Sequence, residues 1–168
     1  MLLVLAGRSG VGKTTIARLL ARELHAAWLR IDTIEQALHS AGMADVGAAG
    51  YVAAYRLAAD QLRLGLPVVA DAVNPLRCNR AAWSGVAAEA GMRCVFVEVV
   101  CSDPVEHRRR IEARAPDIEG HVLPTWDAVL ARRHEPMEEE RVVIDTACMT
   151  PQAAVALIVS HSAMRPAG

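Results

Sequence analysis

Leu2-Leu3-Val4-Leu5-Ala6-Gly7-Arg8-Ser9-Gly10-Val11-Gly12-Lys13-Thr14-Thr15 joins a short apolar run to a stretch of the form G-x-x-x-x-G-K-[ST]. Leu2 to Ala6 has the continuous apolar character of a strand buried on both faces, and Gly7 stops it. From Lys13 to Leu24, Ile16, Leu19, Leu20 and Leu24 recur at three- and four-residue steps with Arg18, Arg22 and Glu23 on the other side, which predicts a helix. The glycine-rich stretch therefore lies between a strand and a helix. There its backbone N–H groups can turn toward an anion at the helix N-terminus. Lys13 offers a compact full charge to the outer phosphates, and Thr14 a hydroxyl to a divalent cation. The expected ligand is a nucleoside triphosphate held by Gly7, Arg8, Ser9, Gly10, Val11, Gly12, Lys13, Thr14 and Thr15.

The alternative is a plain glycine-rich turn opening a helix, with Lys13 merely exposed. Composition argues against it. Lys13 is the single lysine among 18 basic residues, so the one flexible point charge stands where a phosphate needs it rather than a planar fork. The 168 residues, 53% hydrophobic and 22% charged, suit one domain with a real core. With 18 Lys+Arg against 19 Asp+Glu and only 4% aromatics, the chain has neither a basic footprint nor a platform of rings for stacking bases. Nucleic acid is not an expected partner. Cys78, Cys94, Cys101 and Cys148 match neither a C-x-x-C pair nor a zinc ribbon and are expected as buried free thiols. The opening apolar run is too short for a secretion signal, and no stretch reaches the ~18 apolar residues of a membrane span. A cytoplasmic location is expected, and nothing in the sequence sets an oligomeric state.

Working outward, further strands are predicted at 28–31 ending on Asp32, at 68–70, at 94–100 and at 142–144. Helices are predicted from residue 34, over 51–64, 77–90, 104–114, 125–133 and 151–160. About five strands alternating with helices mean βαβ units, hence an α/β three-layer sandwich with a parallel sheet and helices on both faces. Ligands in such sheets sit outside the carboxyl ends of the strands, so Gly7, Asp32, Ala70 to Asn74, Cys101 and Asp145 to Ala147 should converge on one crevice.

Asp32 is the candidate base: a carboxylate beside the γ-phosphate can orient an acceptor hydroxyl and take its proton. Its other use would be to cap the following helix. Asp71, delivered by an apolar strand, is a candidate for the metal together with Thr14, the alternative being an ion pair with a nearby arginine. Asn74, Arg77 and Arg80 stand where that strand hands over to a helix, and either grip an anionic or hydroxylated acceptor or belong to a solvated face. Arg110 and Arg114 share a helix face beside the loop at 115–124. They either form a lid over 108–124 that neutralises transition-state charge and excludes water, or pair with Glu106 and Glu112 in solvent. His121, Arg132 and Arg133 are further lid candidates. Glu138 to Glu140 read as a solvated turn, and residues 143–147 as a run beside a purine base.

Gly7 to Thr15, Ile31-Asp32, Val69-Ala70-Asp71, Cys101-Ser102-Asp103-Pro104 with its arginine-bearing helix, and Ile144-Asp145-Thr146 come in an order that resembles the small P-loop kinases. That group includes gluconate kinase, shikimate kinase, adenylylsulfate kinase, chloramphenicol phosphotransferase and the zeta-toxin kinases. The resemblance covers nearly the whole chain and is especially similar to chloramphenicol phosphotransferase around Asp32 and Asp145-Thr146. It implies the P-loop nucleoside triphosphate hydrolase fold, ATP and Mg²⁺ as cofactors, Asp32 as the catalytic carboxylate and a small hydroxylated molecule as acceptor. The chain has no matching run of shikimate-type arginines and no phosphosulfate signature, so the acceptor stays open. A nucleoside monophosphate kinase would share fold and lid but would carry a basic residue near Asp32. An ATP-binding switch would need no acceptor base, and an RNA or DNA end-kinase fits the near-zero charge poorly.

Overall fold

The computed structural model describes residues 1–163. In chain order the elements are β1 (Leu2–Ala6), α1 (Lys13–Glu23), β2 (Ala27–Arg30), α2 (Ile31–Ser40), α3 (Ala49–Arg63), β3 (Val68–Asp71), α4 (Arg77–Glu89), β4 (Cys94–Val100), α5 (Pro104–Ala113), α6 (Trp126–Ala131), β5 (Arg141–Asp145) and α7 (Pro151–Ala163). The strands form one parallel sheet in the order β2-β3-β1-β4-β5. β1 lies at its centre with all five residues buried, which is why it reads as an unbroken apolar run.

Side chains alternate across the sheet. Leu3 and Leu5 face a core completed by Ile16 and Leu20 of α1, Val97, and Ile158 of α7. Leu2, Val4 and Ala6 face a second core with Ala54 and Leu62 of α3, Trp83 of α4 and Phe96. The expected three layers are thus present. Because β1 has β3 on one side and β4 on the other, the connections diverge there and open a crevice at its carboxyl end.

Local chemistry sets the element ends that matter for this crevice. α1 begins after Gly12, a left-handed residue (φ 102°) that makes no side-chain cap, so its first N–H groups stay free for a ligand. α5 begins with Asp103, whose carboxylate accepts from the backbone N–H of Val105 and Glu106 at 2.9 and 3.1 Å, with Pro104 following. α2 starts at Ile31, directly on the end of β2 and earlier than expected. Asp32 therefore lies inside its first turn and does not cap it.

The predicted helix at 125–133 shortens to α6, which Thr125 caps through its hydroxyl. The cysteines are free, but none is fully buried: Cys78 and Cys148 are exposed, and Cys94 and Cys101 half-buried. Among the described residues no helix is long and apolar enough to cross a membrane.

Gly7 (φ +138°) carries the tightest backbone constraint, since a Cβ there would lie 2.1 Å from the carbonyl oxygen of Val99 on β4. Gly65 (φ +80°) has nothing within 4 Å of its Cβ position. Gly65→Ala should therefore cost only the left-handed penalty, about 1–2 kcal/mol, whereas Gly7→Ala should cost about 4 kcal/mol or more. Urea unfolding of the two variants checks the difference.

Candidate functional site

A cleft of about 570 Å³ opens at the carboxyl ends of the strands. Its lining includes Ser9, Gly10, Gly12, Lys13, Thr14 and Thr15 of the phosphate loop, Arg30, Asp32, Asp71 and Val73 at or just after the ends of β2 and β3, Arg110, Arg114 and Asp117 from α5 and the loop after it, and Thr146 after β5. Lys13 is only 7% exposed and its Nζ donates to the carbonyl of Arg8 at 2.9 Å. Burial pulls the ammonium down to about 8; the Asp71 and Asp32 carboxylates resist this, and the Arg114 and Arg132 charges add to it.

Asp71 is 3% exposed. Burial pushes its carboxyl up, while the Lys13 charge and a hydrogen bond with the Thr14 side chain hold it down. Its Oδ2 is buried without a hydrogen-bond partner. An acceptor-only oxygen left dry beside a hydroxyl is a fitting donor set for a hard cation, so Asp71 and Thr14 would hold Mg²⁺. No cluster of three or more His, Cys, Asp or Glu that could hold a metal exists among the described residues. Remaining ligands would therefore have to come from phosphate oxygens and water.

The rest of the glycine-rich loop serves the backbone. Arg8 sends its side chain away from the cleft, donating to the carbonyls of Val129 and Leu130 at 2.6 and 3.3 Å, and so ties the loop to α6. Val11 is buried, and its carbonyl accepts the Thr146 hydroxyl at 2.8 Å. Asp32 lines the cleft, and no hydrogen bond or ion pair among the described residues engages its carboxylate. One turn along α2, burial and the Asp32 charge push the Glu35 carboxyl up.

The two lid arginines divide. Arg110 is anchored: Nη1 and Nη2 donate to the hydroxyl and carbonyl of Thr146 at 2.8 and 3.0 Å, and Nε donates to Glu106 at 2.8 Å. It braces α5 against the β5–α7 turn while lining the cleft. Arg114 makes no hydrogen bond or ion pair among the described residues, and its charge is felt at Lys13. Arg108 and Arg109 form exposed pairs with Glu112 and Glu106 at 2.7 and 2.6 Å.

Asn74, Arg77 and Arg80 are corrected from acceptor ligands to scaffold. Asn74 is fully buried at φ 45°; its Nδ2 donates to the carbonyl of Leu5 at 2.6 Å and its Oδ1 accepts from Trp83 Nε1 at 2.9 Å. Arg80 is likewise fully buried, donating to Glu139 at 2.9 Å, the Asn74 carbonyl at 3.3 Å and the Pro136 carbonyl at 2.9 Å. Arg77 pairs with Glu138 in solvent. Glu138 and Glu139 are thus partners of these arginines rather than a free solvated turn. None of the three lines the cleft: Asn74 turns into the core between Leu5 and Trp83, and Arg77 and Arg80 engage residues 135–139.

Arg30 and Asp117 also line the cleft, outside the residues expected there from sequence. A basic residue two before Asp32 at the end of β2 was the available signal for the first, and nothing local marks the second.

Bound phosphate would restore the proton to Lys13, so polyphosphate affinity should be flat below pH 8 and fall above it. The unliganded group at about 8 is then losing the charge that the complex retains. Titration of pyrophosphate or ADP by calorimetry should give affinities about tenfold weaker at pH 9 than at pH 7.

Solved structures of the same architecture are similar over almost the whole chain. A protein of Chloroflexus aurantiacus j-10-fl, classed provisionally as a kinase, is 19% identical with TM-score 0.74, covering 97% of this chain and 96% of its own. A sugar kinase of Janibacter sp. HTCC2649 is 20% identical with TM-score 0.67, covering 99% and 96%. Kti12 of Chaetomium thermophilum, solved with ADP-AlF3, is 20% identical with TM-score 0.66, covering 99% and 100%. These likenesses establish the fold. No curated protein matches the sequence significantly. The family model described as AAA domain matches residues 2–137, the span that carries the phosphate loop, Asp32, Asp71 and α5, and the chain belongs to that family, on the fold of the small P-loop kinases.

Proposed function

We propose that the protein is a phosphotransferase that moves the γ-phosphate of Mg-ATP to a hydroxyl of a small molecule. The observation that carries this reading is Asp32, an unengaged carboxylate on the wall of the same cleft as Lys13, Thr14 and Asp71. The acceptor oxygen would bond to the γ-phosphorus as the bond to the β,γ-bridging oxygen breaks. The acceptor proton passes to the Asp32 carboxylate, and ADP leaves. Asp32 orients the hydroxyl before transfer, and Lys13 offsets charge on the outer phosphates. Mg²⁺ held by Asp71 and Thr14 would supply further charge neutralisation. The likeness to Kti12 favours a second reading, an ATP-driven switch with no acceptor, for which Asp32 would be dispensable.

ADP release from Mg-ATP, measured across hydroxylated metabolites, aminoglycosides and other antibiotics, and nucleoside monophosphates, separates the readings. One hydroxylated compound should stimulate release, and Asp32→Asn should lower the stimulated rate ~10²-fold or more with nucleotide affinity within about twofold. Stimulation by a nucleoside monophosphate alone would instead assign a nucleoside monophosphate kinase. A slow background indifferent to Asp32→Asn would assign the switch.

A further inference from the structure

The loop that follows α5 is tied down on the far side of the cleft. Asp117 receives both terminal nitrogens of Arg30, Nη1 to Oδ2 at 2.9 Å and Nη2 to Oδ1 at 2.8 Å. Arg18 of α1 reaches the same carboxylate at 3.2 Å, its guanidinium lying 5.3 Å from the Trp28 ring centre. Farther along, Gly120 (φ +75°) comes so close to α2 that a Cβ there would lie 2.9 Å from Gln36 Nε2.

α5 follows β4, and Arg30 ends β2, three strands away across β1 and β3. At ~4.8 Å per strand the loop crosses roughly 14 Å of the sheet's carboxyl edge before returning to α6. The contact is asymmetric. Arg30's side chain is 5% exposed and Asp117's 44%, so the terminal nitrogens of a buried cation at the end of β2 are paired by a carboxylate on a more exposed loop, while its Nε stays without a partner. The paired geometry holds the Asp117 carboxyl down to about 2, so it is ionised at any working pH.

We propose that the Arg30–Asp117 pair is a latch: it closes residues 114–125 over the cleft, retains the bound nucleotide, and sets Arg114 toward Lys13. Asp117 is a positioning residue that acts through Arg114 and through closure. The inference rests on the reading of the cleft as a nucleotide site. A nucleotide under the loop leaves only when the pair opens, so release of ADP is governed by it.

Dissociation of the fluorescent N-methylanthraniloyl ADP with Mg²⁺, chased with excess ATP in a stopped-flow instrument, tests this. Asp117→Asn should release the probe at least about tenfold faster, equivalent to about 1.4 kcal/mol, with association changed less than about threefold. Asp117→Glu should recover part of the retention. Arg18→Gln, which strips the outer partner without stranding a buried charge, should accelerate release a few-fold even if Asp117→Asn folds poorly. Added salt should speed release from the wild type more than from Asp117→Asn, because the wild type has the latch pair to screen in addition to the contacts on the phosphates. Release from folded Asp117→Asn or from Arg18→Gln at the wild-type rate overturns the latch. Failure of the wild type to bind the probe overturns the nucleotide reading beneath it.

Discussion

Lys13 and Asp71 are both more than nine-tenths buried at the carboxyl edge of the sheet, and the site depends on that one arrangement of opposite charges. Each is held away from its ordinary titration by burial and partly restored by the other. Neither is fully satisfied by the protein, since Lys13 has a single backbone carbonyl and Asp71 keeps one orphaned oxygen. A buried polar pair left short of partners is costly, and the cost is removed by a ligand bringing phosphate oxygens to the ammonium and a cation to the carboxylate. On the proposed reading, this pair would favour a metal-bound polyphosphate.

Holding two such groups dry requires the backbone around them to be fixed. Gly7 presses against the carbonyl of Val99, which sets where the phosphate loop leaves β1 relative to β4. On the other side, Asn74 ties the exit of β3 to the Leu5 carbonyl of β1, Trp83 donates to Asn74, and Arg80 ties that turn to the 134–139 segment. Asp71 stands three residues before Asn74. Its position is therefore inherited from a fully satisfied polar network, while Asp71 itself is left unsatisfied.

This division explains what could be read in advance. The phosphate loop, its strand and its helix were legible because their signals are local: glycine spacing, one lysine, and apolar periods of the flanking elements. The order of elements and the convergence of Asp32, Asp71 and Thr146 followed from the parallel α/β rule. Asn74 and Arg80 were misread because a polar residue at a strand–helix junction has the same local appearance whether it faces the ligand or the core. What decides is Trp83, Leu5 and residues 134–139, none of them adjacent in sequence. The pairing of Arg30 with Asp117 spans 87 residues and leaves no periodic trace at all. Arg110 kept its expected place at the cleft but spends its donors on Thr146, a contact that depends on how α5 meets the β5–α7 turn.

The loop above the cleft carries Arg114 and Asp117, three residues apart and opposite in charge, so its closure adds no net charge. Closure sorts charge instead. The carboxylate is drawn to Arg30 at the rim, and Arg114, whose charge is felt at both Asp117 and Lys13, makes no hydrogen bond among the described residues. Positive charge then faces the position of the outer phosphates from two directions, and the compensating negative charge is held by a guanidinium that faces the rim. A lid carrying arginine alone would have to be attracted by the nucleotide itself. With its own carboxylate drawn to Arg30, this one has a tether that does not depend on the nucleotide's charge, and the contact that holds the loop also sets where Arg114 stands.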